Sequence, residues 1–287
     1  MSEAEPASPI GGLDHIVVAV ADLATAAASW SVLGFTLSPR GYHGRELGTA
    51  NHTIMLGHDY VELLGVAEPT AYSEPTRGFL TGGDGVEHLA LAADDADAAA
   101  AFISAQGSGT VRPGLFGRAV ERADGARGEA RFGIVRWPAP VRTAGIGLFV
   151  CHHVTPEWVW LPELTSHRNG AVGIATIFVA AADPAREARA FSRAVGRAVV
   201  AAPQSDALVV GGGRGRADIR FATRAALEAQ LSAHALAGAR SEGVVAIDIA
   251  TRDIDSAVAC AGALWSGGRV PAGNPGGISL GFVAPAP

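Results

Sequence analysis

Cysteine is scarce in this 287-residue chain: only Cys151 and Cys260 occur, and neither stands in a CxxC or a zinc-type Cys/His spacing. That excludes a disulfide framework. Both read as small buried hydrophobes in a reducing compartment. Basic runs are missing too. The 22 Lys and Arg are scattered against 28 Asp and Glu, for a net charge of −6, so the chain has no field for neutralising phosphates and nucleic acid is not an expected partner. No apolar stretch approaches the ~18–20 residues of a membrane helix, and no membrane partner is expected. The opening, MSEAEPASPIGG, lacks the basic start and apolar stretch of a signal peptide. Residues 1–12 read as a disordered tail, and the chain as cytoplasmic. GxSxG is absent, and GGGRGR at 211–216 lacks the GK[ST] of a phosphate loop, so it reads as a hairpin turn. What the chain does have is apolar surface: 48% of its residues are hydrophobic, enough for a sizeable core.

That apolar content is organised as a repeat. LDHIVVAVADL opens with a β-branched run, Asp22 caps a helix, and Gly34 ends it. TIMLGHDYVELLGV follows as two apolar runs split by Gly57-His58-Asp59, a hairpin signal. The pattern returns at VEHLALAADD. His88 precedes Asp95 by the same interval that separates His15 from Asp22, and Gly107 stands where Gly34 does. Strands recur at ARFGIVRW and IGLFVCHHV. A third copy reads GIATIFVAAADPAREARAFSRAVG, with strands near DALVV and ADIRFAT, and a shorter fourth runs from VVAIDIATRDID to ISLGFV. Each unit reads β-α-β-β-β. One helix covers only one face of such a sheet, so the other face packs on a partner unit or lines a cavity. The expectation is an α+β protein of paired units forming curved, cup-like mixed sheets, with an N-terminal domain over 13–165 and a C-terminal one over 172–284.

The position seven before each cap is His15, His88, Thr176 and Ala246. Equivalent strand positions face the same way, so two histidines converge in the N-terminal half and none in the C-terminal half. Glu62, inside YVELLGV, is the obvious carboxylate to join them. Imidazole and carboxylate converging from rigid strands is metal-ligand chemistry, although a solvent-facing Glu62 is an equally simple reading. His152 and His153 point to opposite faces of a regular strand; His153 is the preferred fourth ligand, with His152 and Glu157 as alternates. His52, just after GTAN, is placed on the cup rim. His43, His58, His167 and His234 read as solvated. Trp137 is a candidate for the pocket wall, as are Trp158 and Trp160, though such aromatics are more often core.

These residues resemble the vicinal oxygen chelate superfamily, and within it the glyoxalase-like proteins. The resemblance rests on LDHIVVAVADL with His15, GTAN before a strand, YVELLGV with Glu62, VEHLALAADD with His88, and CHHVTPEWVW followed by HRNGA. It implies a cup holding one divalent ion (Fe, Mn, Ni, Co or Zn), with His15, Glu62 and His88 matching three ligand positions; the family's last ligand is often Glu, and here that strand departs by carrying His152 and His153, of which parity prefers His153. It also implies a small oxygen-rich substrate for an isomerase, lyase or dioxygenase; on our reading of the residues, Glu62 or Glu157 would move a proton and His52, Trp137 and His152 would touch the ligand. The superfamily also contains metal-free proteins that sequester antibiotics, as in bleomycin resistance, so a non-catalytic small-molecule binder is the rival expectation. Either would be a monomer or a homodimer.

Overall fold

The computed structural model describes residues 8–122, 124–139, 141–202, 205–213, 215–274 and 276–286; residues 1–7 of the expected tail lie outside these. β1 (Ile10–Ala19) starts inside the remainder of that tail. The first unit continues through α1 (Leu23–Val32), β2 (Gly41–Tyr42), β3 (Thr49–Met55) and β4 (Tyr60–Val66). A helix absent from the sequence reading, α2 (Glu74–Leu80), leads to the second unit: β5 (Gly85–Ala93), α3 (Ala96–Ile103), β6 (Gly114–Glu121), β7 (Arg127–Val135), β8 (Arg142–Thr143) and β9 (Ile146–His153). The third is β10 (Ala171–Ala180), α4 (Pro184–Val195), β11 (Val199–Ala201), β12 (Leu208–Val210) and β13 (Asp218–Ala222). After α5 (Arg224–Leu231) and α6 (Ala233–Leu236), the fourth unit has β14 (Gly243–Thr251), α7 (Ile254–Ala261) and β15 (Ser279–Val283).

Local chemistry explains the recurrence. Asp22, Asp95, Asp183 and Asp253 each accept hydrogen bonds from first-turn N–H groups of the helix that follows, satisfying donors that a helix start leaves open. Gly34 and Gly196 take φ of +89° and +65° just past α1 and α4, a region costly for residues with a Cβ.

The first two units form a nine-stranded sheet in the order β2-β3-β4-β1-β5-β9-β7-β6, with β8 added on β9. It is symmetric about the antiparallel β1–β5 pair, and within each unit the first strand lies parallel to the last. The other two units build a six-stranded sheet, β11-β12-β13-β10-β14-β15. One continuous core gathers the helix-side faces of both sheets, including Trp30 of α1, Ala99 of α3, Phe191 of α4 and Ala257 of α7.

The opposite faces of the two sheets differ. In the second sheet, Leu227 of α5 and Leu236 of α6 pack with Phe178, Ala180 and Ala246. In the first, the corresponding face stays open as a cup with a cavity of about 360 Å³. Among the described residues no helix is long and apolar enough to cross a membrane.

Candidate functional site

His15 and Val17 of β1, Glu62 of β4 and His88 of β5 all line this cup. In a regular strand Asp14 would point away from His15. Here the β1–β5 register slips: Leu13 faces Leu91 and His15 faces Ala90, so two residues of β1 oppose one of β5. This bulge brings an oxygen of Asp14 to 2.6 Å from Nδ1 of His15. A second slip, where Val17 faces His88 and Val18 faces Val86, does the same for Glu87. Glu87 lines the cup beside His88, with an oxygen 3.8 Å from Nδ1. Both slips recur in the β10–β14 pair, where Ala175-Thr176 and Val245-Ala246 occupy these places.

Asp14 fixes the state of His15. Burial pushes its carboxyl upward, but hydrogen bonds from His15 and His153 outweigh this and hold it well below the usual carboxylate range. An ionised carboxylate only accepts, so His15 Nδ1 donates to it and Nε2 is the nitrogen turned toward Glu62. That nitrogen lies 3.7 Å from Oε2 of Glu62, a separation suited to two ligands sharing one ion at about 2.0–2.2 Å each. The outer carboxylate that orients a ligand histidine is thus in place. Asn51 donates to Oε1 of Glu62 at 2.7 Å, and His43 Nε2 stands 3.7 Å from the same oxygen.

His88 shares the cup but is not drawn into this contact. Among the described residues, the only group of three His, Cys, Asp or Glu with ligand atoms within 4.8 Å of one another is Asp14, Cys151 and His153. Beneath the cup, Asp14 accepts from His153 Nε2 at 2.9 Å. Burial, and then the charges of Asp14 and Glu62, push the Cys151 thiol well above its ordinary range, so this group reads as a hydrogen-bonded support for His15. Burial, with Arg142 and Arg136 adding to it, brings His88 down to about 4, so its ring is neutral at pH 7. Glu87 is raised by burial and accepts from Thr76 at 2.9 Å.

Strand register identifies the fourth position. Val17, two residues after His15, faces Glu62; Ala90, two residues after His88, faces Phe149. The partner of Glu62 in the second unit is therefore Phe149, whose ring touches those of His15 and His88, with centroids 5.5 and 6.0 Å away. His153 has the cup-facing parity expected of it, yet it lies four residues further along β9, about 13 Å at strand spacing. It is bonded to Asp14 and does not line the cup.

Other expectations are corrected. His152, opposite Gly133, has the parity that points out of the cup. Glu157 lies exposed in a short 3₁₀ turn at Pro156–Trp158 and is not in the cup wall. Trp137 is buried in the core, its indole donating to Gln106 at 3.5 Å. His52 turns to the far side of β3 and bonds the Ser38 carbonyl, because Thr49, Asn51, Thr53 and Met55 take the cup face. His43, read as solvated, lines the cup. His167 is buried, binding Thr36 N–H and the Met55 carbonyl. Asp14, Glu87, His43, Asn51 and Phe149 escaped the sequence reading. For two of them a signal existed, since an acid directly precedes each in-phase histidine, as Asp14-His15 and Glu87-His88.

The corresponding positions of the C-terminal sheet have different chemistry. Arg220 faces Phe178 in the register where Glu62 faces Val17, and buried Arg269 pairs with Asp248 at 2.6 Å.

Comparison with known proteins agrees with this architecture. A structure of a hypothetical protein from Staphylococcus aureus is similar at TM-score 0.66 and 12% identity, over 95% of this chain and 98% of that one. A triple variant of 4-hydroxymandelate synthase from Streptomyces coelicolor matches at 0.58 and 17%, over 88% and 75%. A xylose isomerase-like TIM barrel/4-hydroxyphenylpyruvate dioxygenase fusion protein matches at 0.55 and 20%; 90% of this chain aligns with 39% of that one. At these identities the likeness establishes the fold alone. No curated protein matches the chain in sequence. The family model described as a glyoxalase-like domain matches residues 13–195. With that match and the paired βαβββ cup, the chain belongs to the glyoxalase-like family of the vicinal oxygen chelate superfamily.

Proposed function

We propose that the N-terminal cup is the active site of a metal-dependent enzyme acting on a small oxygen-rich substrate. The observation that carries this is the Asp14–His15–Glu62 line: a histidine oriented by a carboxylate on Nδ1, its Nε2 3.7 Å from a second carboxylate, inside an open cavity. His15 and Glu62 would hold a divalent ion, with neutral His88 as the third donor. Phe149 leaves the fourth place without a protein ligand. A bound ion would supply Lewis-acid stabilisation to oxygens of the substrate. Asn51 fixes one oxygen of Glu62 and so orients the other, while Tyr60 stacks on His15 at 4.2 Å and holds the ring in place. Glu87 is the remaining carboxyl of the cup wall, within reach of a ligand for proton transfer.

Metal analysis of the purified chain after supplementation with Fe, Mn, Ni, Co or Zn should find about one ion per chain. His15→Ala and Glu62→Gln should each lose it. A parent protein that retains no metal overturns the enzyme reading.

The rival reading is a binding protein with no reaction. Phe149 favours it, since an apolar ring occupies the place of a fourth ligand. In that case ligand affinity would be indifferent to chelation, with the histidines serving as hydrogen-bonding groups of the pocket.

A further inference from the structure

Charge changes sign across the two-fold axis of the cup. On the first-unit side, Glu62 is surrounded by the donors Asn51 and His43. On the second-unit side the equivalent position is Phe149, and a cation stands over it. Ile134 faces Cys151 and Val135 faces Val150, so Arg136 falls beside Phe149, its Cζ 5.4 Å from the ring centroid. Arg136 lines the cup. Apart from this ring it has no hydrogen-bond or ion-pair partner among the described residues. A guanidinium stacked on an aromatic face, with its N–H fork free, suits a planar carboxylate. The wall running away from it carries the apolar Ile134, Phe132, Phe116, Met55 and Leu47, with Arg118 as the other arginine of the cup lining.

We propose that the cup takes a small carboxylate with an aromatic or apolar body, its anionic end held by Arg136 over Phe149. The ligand then supplies the negative charge that the protein lacks at the fourth position. This rests on reading the cup as the ligand site, but it does not need the metal.

The test is calorimetry on the full chain with phenylacetate and 3-phenylpropionate, each against its carboxamide, once after chelation and once with Mn²⁺ added. Each carboxylate should bind at least tenfold more tightly than its amide in the chelated protein. Arg136→Met should erase that preference and Arg136→Lys should keep part of it. Arg142→Ala should leave it intact, because Arg142 also lies near His88 but bonds the Gly145 carbonyl and is outside the cup wall. Thermal melts would verify that each variant is folded.

Equal binding of acid and amide overturns the proposal, as does a preference that survives Arg136→Met. Equal losses in Arg136→Met and Arg142→Ala would mean a diffuse field, and a preference seen only with Mn²⁺ would put the anion on the ion; either overturns it. So does absence of binding by all four probes at millimolar concentration. If Mn²⁺ fails to bind but the preference holds after chelation, the metal reading fails and this proposal stands.

Discussion

Asp59 lies in the β3–β4 turn, yet its carboxyl is buried and accepts from the Ile174 N–H of the second sheet at 3.1 and 3.2 Å. Burial raises it, with a smaller push from Asp14, while the Ile174 N–H and Arg216 oppose the rise; the balance is about 7 against an ordinary 3.8. The folded chain thus favours the protonated acid more than the unfolded chain does. The stabilising contribution is complete below about pH 4 and is lost as pH rises to about 7, at roughly 1.4 kcal/mol per pH unit. Asp59→Asn keeps an acceptor oxygen for Ile174 and cannot ionise. Its stability relative to the parent should therefore climb by about 3 kcal/mol between pH 5 and pH 7.5, then level off. For a chain of this size that is on the order of 10 °C in melting temperature. Thermal and urea denaturation of both proteins at pH 5, 6, 7 and 8.5 would measure the gap. Parallel pH profiles would refute the reasoning. So would a variant less stable than the parent at pH 8.5, because the ionised acid would then be worth more to the interface than its burial costs.

Three further outcomes follow from the cup. Asp14→Asn removes the carboxylate that orients His15 and should weaken divalent-metal binding by about 10–100-fold, measured by competition with a chelating dye; unchanged affinity would show that Asp14 does not position the ligand. Gly147→Ala puts a methyl against Cδ2 of His88, so it should reduce metal affinity severalfold while the melting temperature of the metal-free protein moves by only a few degrees. Phe149→Glu places a carboxylate at the partner position of Glu62 and should raise Mn²⁺ affinity about tenfold by calorimetry; no gain would mean that the second-unit strand does not face the ion.

The sequence and the structure agree wherever the signal is local. Asp22 and Asp95 cap their helices within three residues, through their own side chains, so the interval from histidine to cap was a reliable ruler, and it placed His15 and His88 in one cup. It had no means of showing that α5 and α6 fill the second face, since the packing of Leu227 and Leu236 on Phe178 is tertiary. The failures share a cause. A bulge exists only in a strand pair, so the turn of Asp14 and Glu87 toward their histidines depends on β5 and β1 respectively. Parity along β9 correctly gave His153 the inward face, but the height of a residue in the cup is set by the register of β9 on β5. There His88 faces Gly147, so the matching height is Phe149. Aligning YVELL with LFVCHH by their strand ends missed this by four residues. Counted from the strand partners of the two histidines, Glu62 and Phe149 coincide without adjustment. At these matched positions the two units share a backbone and differ in charge, with Glu62 on one side of the cup and Phe149 under Arg136 on the other. A second glutamate at Phe149 would have closed a four-ligand site on the protein alone. With phenylalanine there and Arg136 above it, the proposed site would be completed by an anion that the cup admits.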